Sequence, residues 1–430
     1  MTARDGSSDQ WHLLGKGPLV TESADVVVVG GGIAGSALAT ALARGGLEVR
    51  LLERQTAYRD KVKGEVFLPW GAAEVKRLGL EVTLLIAGGG YTTRLARYDD
   101  WLSPGEAECQ AVRLDQMVAG VPGALNVGHP DACQALTEAA HAAGATVVRG
   151  VGDVSVAGGS PATVAYEADG VGHQLRCRLI VGADGRHSAV RRQLGIALHQ
   201  TEPATVGAGM LVDELWEWPS DLNATGTEGD LYLLAFPRPG GRVRLYLLWS
   251  AAQKRRFTGA ERQAEFLSAC RFRSLPYGDA IAAGRPAGPC SSYPMNDSWC
   301  DRIAVEGAVL VGDAAGWNDP IIGQGLSIAM RDARMVADIL LGESAWPLSA
   351  FDEYAVERAE RMRRLRIDAQ LTTALQCGSG PEGTAFRRRW AEQAGGNKLL
   401  VAPLLAGLVG PEQVPPRAFT DRNVERILSL

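Results

Sequence analysis

The chain has 430 residues, 46% of them hydrophobic and 22% charged, and its formal net charge is −5. This length predicts two closely connected domains, and the composition is that of an ordinary globular protein. The charge balance argues against a nucleic-acid-binding surface. No run approaches the ~20 consecutive apolar residues that cross a bilayer, so no membrane span is expected.

Residues 1–24 predict a flexible leader, because they are polar and lack the apolar stretch of a signal peptide. The seven cysteines are scattered without C-x-x-C spacing, so they predict neither a metal site nor a disulfide framework. An odd number of cysteines without a signal peptide favours a cytoplasmic location.

The first regular elements form a strand–turn–helix–strand unit. The β-branched run 25–29 predicts a buried parallel strand, a helix follows to about residue 44, and a second strand over 47–52 ends at Glu53. The turn has the pattern G-x-G-x-x-G, which lets the backbone approach a pyrophosphate, and Glu53 is placed to accept hydrogen bonds from a ribose. The unit therefore predicts a dinucleotide site built from Gly30, Gly32, Ile33, Ala34, Gly35, Glu53 and Arg54.

Helical and strand patterns alternate along the rest of the chain. Helices are predicted near 71–78, 131–143, 260–271 and 325–341, and strands over 146–182 (three of them), 231–236, 243–249 and 308–311. From about residue 348 the chain is mostly helical. The fold class is α/β, in which a Rossmann-like domain (25–80, 111–199 and 301–345) is interleaved with a mixed β-sheet domain (81–110 and 200–300) and followed by a helical C-terminal region (346–430).

Two further motifs follow buried strands far from the first. Residues 181–192 read VGADGRHSAVRR, and residues 311–316 read VGDAAG, followed by Pro320 and by G-Q-G at 323–325. With three motifs in this order, the sequence resembles the single-component FAD-dependent monooxygenases (group A, para-hydroxybenzoate hydroxylase-like) over roughly residues 25–345. The resemblance implies a non-covalently bound FAD in the Rossmann-like domain and a substrate covered by the middle sheet.

The resemblance also implies roles for individual residues. The pair Asp184 and Gly185 lies near FAD and NAD(P)H, and the pair Gly312 and Asp313 holds the ribityl chain. The loop of Pro320, Gly323, Gln324 and Gly325 lies beside the isoalloxazine. The helix that follows, with Leu326 in its first turn, points its N-terminus at the N1–C2=O edge, where reduced flavin is anionic.

The segment Lys63-Gly64-Glu65 matches the part of relatives that borders the flavin. Glu65 is either an acid–base group near the substrate or a solvated loop carboxylate, and no side-chain base is assigned. Candidate substrate contacts, with ordinary core as the alternative, are Tyr232, Phe236 and Trp249 on the middle sheet and Ile322 beside the flavin.

The sequence departs from the family pattern at two places. Gly316 and Trp317 stand where the family often has His after the third motif, and His129 stands where it commonly has Arg. These changes weaken a detailed analogy to the phenol hydroxylases and leave the prediction of FAD binding in place.

The resemblance implies that NAD(P)H reduces FAD, O2 adds at flavin C4a, and the hydroperoxide hydroxylates an apolar, aromatic or polyketide-like small molecule. NAD(P)H is expected to bind transiently, because no second glycine-rich nucleotide unit is visible. The expected partners are this substrate and O2, with no nucleic acid, and the protein is expected to be a monomer or a homodimer.

Three alternatives share the FAD framework. A halogenase is disfavoured because Trp216-Glu217-Trp218-Pro219 lacks the Ile-Pro spacing of the halogenase signature and no Lys lies between Lys76 and Lys254. A reductase of the geranylgeranyl-reductase type is suggested by Phe236-Pro237-Arg238 and Gly316, although its fuller aromatic signature is absent. A flavoprotein that binds without turnover stays open.

Overall fold

The computed structural model describes residues 20–62, 64–253 and 255–430. Its strands are β1 (Val20–Val29), β2 (Val49–Glu53), β3 (Val66–Phe67), β4 (Gly90–Thr92), β5 (Arg94–Asp99), β6 (Val112–Arg113), β7 (Ala124–Asn126), β8 (Thr146–Arg149), β9 (Val154–Ala157), β10 (Ala162–Ala168), β11 (Val171–Gly182), β12 (His199–Gln200), β13 (Thr205–Asp213), β14 (Leu222–Glu228), β15 (Leu231–Arg238), β16 (Arg242–Ser250), β17 (Arg285–Pro286), β18 (Ser291–Met295), β19 (Ser298–Trp299), β20 (Ala304–Val305) and β21 (Ala308–Leu310). Its helices are α1 (Ile33–Arg44), α2 (Pro69–Arg77), α3 (Glu81–Ile86), α4 (Pro104–Cys109), α5 (His129–Ala142), α6 (Ala189–Gln193), α7 (Arg262–Ala269), α8 (Gly278–Ala283), α9 (Gly325–Gly342), α10 (Asp352–Gln376), α11 (Gly380–Ala394), α12 (Lys398–Val401), α13 (Ala406–Val409) and α14 (Asp421–Leu428).

The first sheet has the order β20-β21-β11-β1-β2-β8, and β1 pairs in parallel with both β11 and β2. Val26, Val27 and Val28 in β1 are fully buried, because α1, α5 and α9 pack with this sheet into one core. A continuous β-branched run suits a strand with both faces covered. The predicted strand–turn–helix–strand unit is therefore present as β1, α1 and β2.

The second sheet has the order β17-β13-β16-β15-β14-β5-β6, and β18 adds to β13. Its strands alternate between two cores: the odd residues of β15 and β16 pack with helices α7 and α8 on one face, and the even residues pack toward the first domain. A third, small sheet, β3-β7-β4, is formed by strands that lie between β2 and β8 of the first sheet in the chain. The α/β class with an interleaved sheet and a helical C-terminal region is confirmed.

Several boundaries differ from the prediction. Strand β1 begins at Val20, since residues 20–24 pair with β11, so the predicted leader is too long; its residues 1–19 lie outside the described residues. Four strands (β8 to β11) occupy 146–182 instead of three. Strand β4 joins the small sheet and β6 joins the second sheet, so both sides of the predicted boundary near residue 111 shift.

Candidate cofactor and substrate site

The three glycine-containing motifs meet at one edge of the first sheet. They follow the carboxyl ends of β1, β11 and β21, which are neighbouring parallel strands. The Ala183 N–H donates to the Val29 carbonyl at 2.8 Å, and the Val311 N–H donates to the Gly182 carbonyl at 3.0 Å. Ligands of open α/β sheets bind outside the carboxyl ends of such strands, so the convergence predicted from the sequence defines a binding crevice.

The first motif is fixed from both sides at Gly31. Its N–H donates to Glu53 Oε2 at 2.7 Å, and the other Glu53 oxygen accepts from the Gln55 N–H at 2.7 Å. The Gly31 carbonyl accepts from the hydroxyls of Tyr58 (2.5 Å) and Ser36 (3.0 Å). Glu53 is thus buried and oriented at the crevice. Sequence reasoning missed Tyr58 and Ser36, because a hydroxyl in a loop or a buried helix gives no periodic signal.

The crevice passes a simple test of fit for FAD. A Cβ added to Gly32 or to Gly325 would meet no atom within 4 Å, so both glycines border open space. They lie at the N-termini of α1 and α9, and neither helix has a side-chain cap. The open N–H groups and the helix dipoles favour negative charge, such as a pyrophosphate at α1 and an anionic flavin edge at α9.

The second motif places Asp184 differently from its implied role. Asp184 Oδ2 accepts from the backbone N–H groups of Ala189 (2.7 Å) and Val190 (3.1 Å), so this oxygen caps α6. Its Oδ1 is buried and has no partner among the described residues, which leaves one acceptor for a ligand or water. Gly185 has φ +78°, a conformation that glycine adopts without strain.

Asp313 of the third motif is half-buried and pairs with Arg186 at 3.3 Å. The Arg186 guanidinium also lies 5.2 Å from the ring centroid of Trp317. Trp317 is buried, and its Nε1 has no partner within the part of the chain that is described. Asp313 therefore holds a cation at the crevice, a contact that the sequence did not indicate.

The C-terminal region holds the third motif in place. Arg358 in α10 donates to the carbonyls of Gly312 (3.0 Å), Ala315 (2.9 Å) and Gly316 (2.8 Å). Asp332 in α9 accepts from the Gly312 N–H at 2.8 Å and pairs with Arg358 at 2.9 Å. Burial alone would raise the pKa of Asp332, but the charges of Arg358 and Arg361 lower it. Sequence reasoning missed this cluster.

The loop before α9 is braced by the side chain of Gln324. Its Oε1 accepts from Trp70 Nε1 at 2.8 Å, and its Nε2 donates to the carbonyls of Ile322 (2.7 Å) and Gly407 (3.2 Å). The side chain is therefore used within the protein, and the loop offers its backbone to a ligand. Pro320 begins a short 3-10 turn, and Gly323 ends it with φ +64°.

Glu65 is not a solvated loop carboxylate, so that interpretation is wrong. It is 2% exposed and pairs with Arg244 at 3.0 Å and with Arg238 Nε at 2.7 Å. Arg244 also pairs with Asp60 at 2.5 Å. Both arginines project from the second sheet, so Glu65 joins the loop after β2 to that sheet. With both oxygens bound to guanidinium groups, it is a link between domains and no acid–base role is supported.

Tyr232 and Phe236 lie on the face of the second sheet that meets the first domain. They share one apolar cluster, the chamber cluster, with Leu248 on the sheet, Ile321 and Ile322 of the loop before α9, and Leu408 of the C-terminal region. Trp249 lies on the opposite face, where its ring is 5.5 Å from that of Phe257. This corrects the expectation that Trp249 faces the substrate: it is one residue out of phase with Leu248.

The remaining predicted residues take ordinary places. Ile33, Ala34 and Leu326 are buried at the starts of α1 and α9, and Arg54 is exposed. Lys63 lies outside the described residues. His129 begins α5. Among the described residues, no group of three His, Cys, Asp or Glu side chains could hold a metal ion, and no helix is long and apolar enough to cross a membrane.

The fold and crevice define an FAD-binding oxidoreductase. The family described as FAD binding domain matches residues 23–366, and the chain belongs to it. The chain is 28% identical over 373 residues to a menaquinone reductase of Mycolicibacterium smegmatis, covering 83% of this chain and 87% of the relative. It is 29% identical over 385 residues to a rifampicin monooxygenase of Streptomyces venezuelae, covering 86% and 75%.

A solved structure extends the likeness of the fold. The p-nitrophenol 4-monooxygenase of Pseudomonas putida superposes with a TM-score of 0.75 at 18% identity, covering 91% of this chain and 99% of that one. The predicted resemblance to FAD-dependent monooxygenases of group A is confirmed, and so is FAD as the cofactor.

Proposed function

We propose that the protein is an NAD(P)H-dependent monooxygenase that hydroxylates an apolar, aromatic or polyketide-like small molecule. The observation that carries the proposal is the chamber cluster, where side chains of the second sheet face the loop before α9. Bound FAD would take up a hydride from NAD(P)H and activate O2. The protein would hold the substrate against the aromatic sheet face and keep water away from it.

The C-terminal region closes this chamber. Ala369 in α10 and Leu408 in α13 are buried in the chamber cluster beside Ile321, and Gln324 binds the Gly407 carbonyl. Helices α10 and α13 would cover the chamber and exclude water from the substrate. The contact supports a role for residues 346–430 as a cover, which the sequence left open.

The residues proposed to hold FAD follow from the crevice. Gly32 and the first turn of α1 would receive the pyrophosphate, and Glu53 would receive the ribose. Asp313 with its partner Arg186 would lie beside the ribityl chain, and Gly325 at the start of α9 would meet the flavin edge. The seven cysteines, all in the described part of the chain, form no disulfide, which supports a cytoplasmic location.

A reductase is the second candidate, because one of the similar proteins is a menaquinone reductase at 28% identity over most of both chains. Labelled oxygen separates the two. The FAD-loaded protein is incubated with NADPH, ¹⁸O2 and a panel of phenols, quinones and aromatic polyketides, and products are analysed by mass. A hydroxylase adds one ¹⁸O atom and needs O2. A reductase would instead yield a product that has gained two hydrogens and no oxygen, and it would form this product under argon as well. That result would refute the proposed hydroxylation in favour of reduction.

A further inference from the structure

Two tyrosines of the second sheet lie on one face, on the two sides of β13. In the sheet register Gly209 is opposite Tyr246 in β16, and Gly207 is opposite Tyr293 in β18. Opposite residues of antiparallel strands point to the same face, and residues two apart in one strand share that face. Both tyrosines therefore lie on one face, from the two sides of β13.

The glycines of β13 make room for side chains of the neighbouring strands, and Gly209 makes room for the Tyr246 ring. A Cβ on Gly209 would lie 2.5 Å from both Tyr246 Cδ1 and Val62 Cγ1, and a Cβ on Gly207 would lie 2.7 Å from Met295 Sδ and 3.7 Å, an ordinary contact distance, from Tyr293 Cε2. Tyr246 also meets Phe236 edge-on at 6.2 Å between ring centroids. Tyr246 belongs to the chamber cluster, and Tyr293 packs against it. Both rings therefore line or border the chamber.

Neither hydroxyl has a hydrogen-bond partner within residues 20–62, 64–253 and 255–430, and neither oxygen is among the fully buried unpaired atoms. Each hydroxyl therefore faces a space. Arg244 lies on the same face, and its Nη1 is fully buried without a partner in the same part of the chain. Burial raises the pKa of Tyr293 to about 12, so its hydroxyl stays protonated at neutral pH and can donate.

The surroundings of Tyr293 place that space at the cofactor crevice. The charges that act on its hydroxyl come from Arg186 of the second motif, Asp319 of the loop before α9, and Glu65 and Arg244 of the link between the domains. Glu65, Arg244 and Tyr293 also act on Tyr246. The two hydroxyls therefore lie where the motif loops face the second sheet.

We propose that Tyr246 and Tyr293 determine substrate specificity by binding an oxygen substituent of a flat aromatic substrate: a phenol or enol hydroxyl, or a quinone carbonyl. The apolar remainder of the ring system lies against Phe236 and Leu248. This inference rests on the proposed function, since it needs FAD at the motif loops and a substrate in the chamber.

The test compares probes that differ only in oxygen. Naphthalene, 1-naphthol and 1,4-naphthoquinone are titrated into the FAD-loaded protein, and dissociation constants are read from the change in flavin absorbance. Wild type should bind at least one oxygenated probe about ten-fold more tightly than naphthalene. Y246F and Y293F should each weaken that binding about three- to ten-fold, as expected for one lost hydrogen bond, and should leave naphthalene unchanged.

Y98F is the matched control. Tyr98 lies in the same sheet and packs on the opposite face, and its hydroxyl donates to Glu108 at 3.0 Å. It should bind all three probes as wild type does. Y246F and Y293F remove hydroxyls that lack a protein partner, so both should retain FAD and the wild-type thermal midpoint.

Three outcomes would overturn the inference: oxygenated probes that bind no better than naphthalene, Phe variants that bind every probe as wild type does, or Phe variants that lose affinity equally for all probes. A wild-type protein that takes up no FAD would instead refute the proposed function. The two failures are therefore distinguishable by the flavin spectrum recorded before any probe is added.

Discussion

At the scale of single residues, the glycines of the motifs serve two different purposes. Cβ atoms on Gly30 and Gly35 would lie 2.4 Å from the Ala183 carbonyl oxygen and 2.0 Å from the Gly30 carbonyl oxygen. These two glycines are required by the packing of the protein itself. A Cβ on Gly32 or Gly325 would have no neighbour within 4 Å among the described residues, so no contact in that part of the chain explains the missing side chain. The space beside them is what a cofactor would fill.

Gly32→Ala therefore should fold normally and lose FAD. The added methyl group meets no protein atom and Gly32 has φ −78°, so the free energy of unfolding should change by less than about 1 kcal/mol. FAD affinity should fall at least about ten-fold, because the methyl group blocks the approach of the pyrophosphate. Flavin titration of the apoprotein and urea unfolding measure both. Gly35→Ala is the control, and it should lower the free energy of unfolding, which Gly32→Ala should not. A Gly32→Ala protein that binds FAD normally would contradict the assignment of Gly32 to the pyrophosphate site.

Arg358→Met should damage both stability and FAD binding. It leaves Asp332 without one of its two arginine counter-ions and three carbonyls of the third motif without their donor, a loss of about 3–5 kcal/mol for a broken buried pair. Arg358→Lys keeps the charge without the planar fork and should recover only part of both properties. Arg363→Met, on the same helix but paired with Glu360 at the surface, should behave as wild type. Equal flavin content in all three variants would show that FAD binding does not depend on the hydrogen bonds from Arg358 to the third motif.

At the scale of elements, local patterns predicted the parts that local chemistry determines. The strand–turn–helix–strand unit and the start of α9 at Gly325 agree with the prediction, because β-branched runs and glycine turns signal themselves within a few residues. The partners of α10 could not be predicted. Its arginines resemble a solvated helix face, and Asp332, the partner of Arg358, lies 26 residues away in another helix. Such pairs are set by how helices pack, which the sequence pattern does not record.

The site shows the same division. The positions of the three motifs were predictable because each follows a buried strand. The burial of Glu65 was not predictable, since its partners Arg238 and Arg244 are 173 and 179 residues away on strands that read as half-exposed. Trp249 was misplaced because a strand periodicity of two gives alternation without saying which face meets the site.

The contact between α10 and α13 should depend on pH. Asp368 in α10 is buried, has no cation in hydrogen-bond range among the described residues, and accepts from the Gly407 N–H at 3.1 Å and the Thr372 hydroxyl at 3.2 Å. Burial raises its pKa to about 7, above the ~3.9 of an unfolded Asp. Between these two pKa values, the Asp368 carboxyl binds its proton more tightly in the folded protein than in the unfolded chain. Its contribution to stability is therefore full below about pH 3.9 and is lost as pH rises to about 7.

Asp368→Asn imitates the protonated carboxyl and should remove this dependence. Relative to wild type, the variant should gain about 2–3 kcal/mol between pH 5 and pH 8, the value of two pKa units. Denaturant unfolding at pH 5, 6, 7 and 8 measures the difference. Asp338→Asn, a largely exposed carboxylate on α9, is the control and should follow wild type at every pH. Parallel curves for wild type and Asp368→Asn would show that Asp368 has an ordinary pKa.

At the scale of the whole molecule, the second sheet faces the small sheet, the loop before α9 and the C-terminal helices across the chamber cluster. One core fills the first domain, a second lies behind the second sheet, and the chamber cluster lies between them. Apolar contacts alone do not fix the distance between two sheets, since side chains can repack. Glu65, bound to an arginine from each of β15 and β16, adds a directional link beside the chamber. Together with the Asp60–Arg244 pair, this buried carboxylate therefore contributes to the spacing of the chamber walls.

Glu65→Ala should loosen the whole molecule more than any surface substitution. It leaves Arg244, fully buried, and Arg238, 7% exposed, with less negative charge nearby, which corresponds to about 3–5 kcal/mol for a buried ion pair that loses one partner. Glu65→Gln keeps an acceptor for one guanidinium and should lose less. Asp115→Ala breaks an exposed pair with Arg113 and should leave the thermal midpoint nearly unchanged. Calorimetry of the three variants with and without FAD measures the effect. Equal thermal midpoints for Glu65→Ala and Asp115→Ala would contradict this prediction. Water would then already screen the charges of Arg238 and Arg244, and apolar contacts alone would hold the second sheet in place.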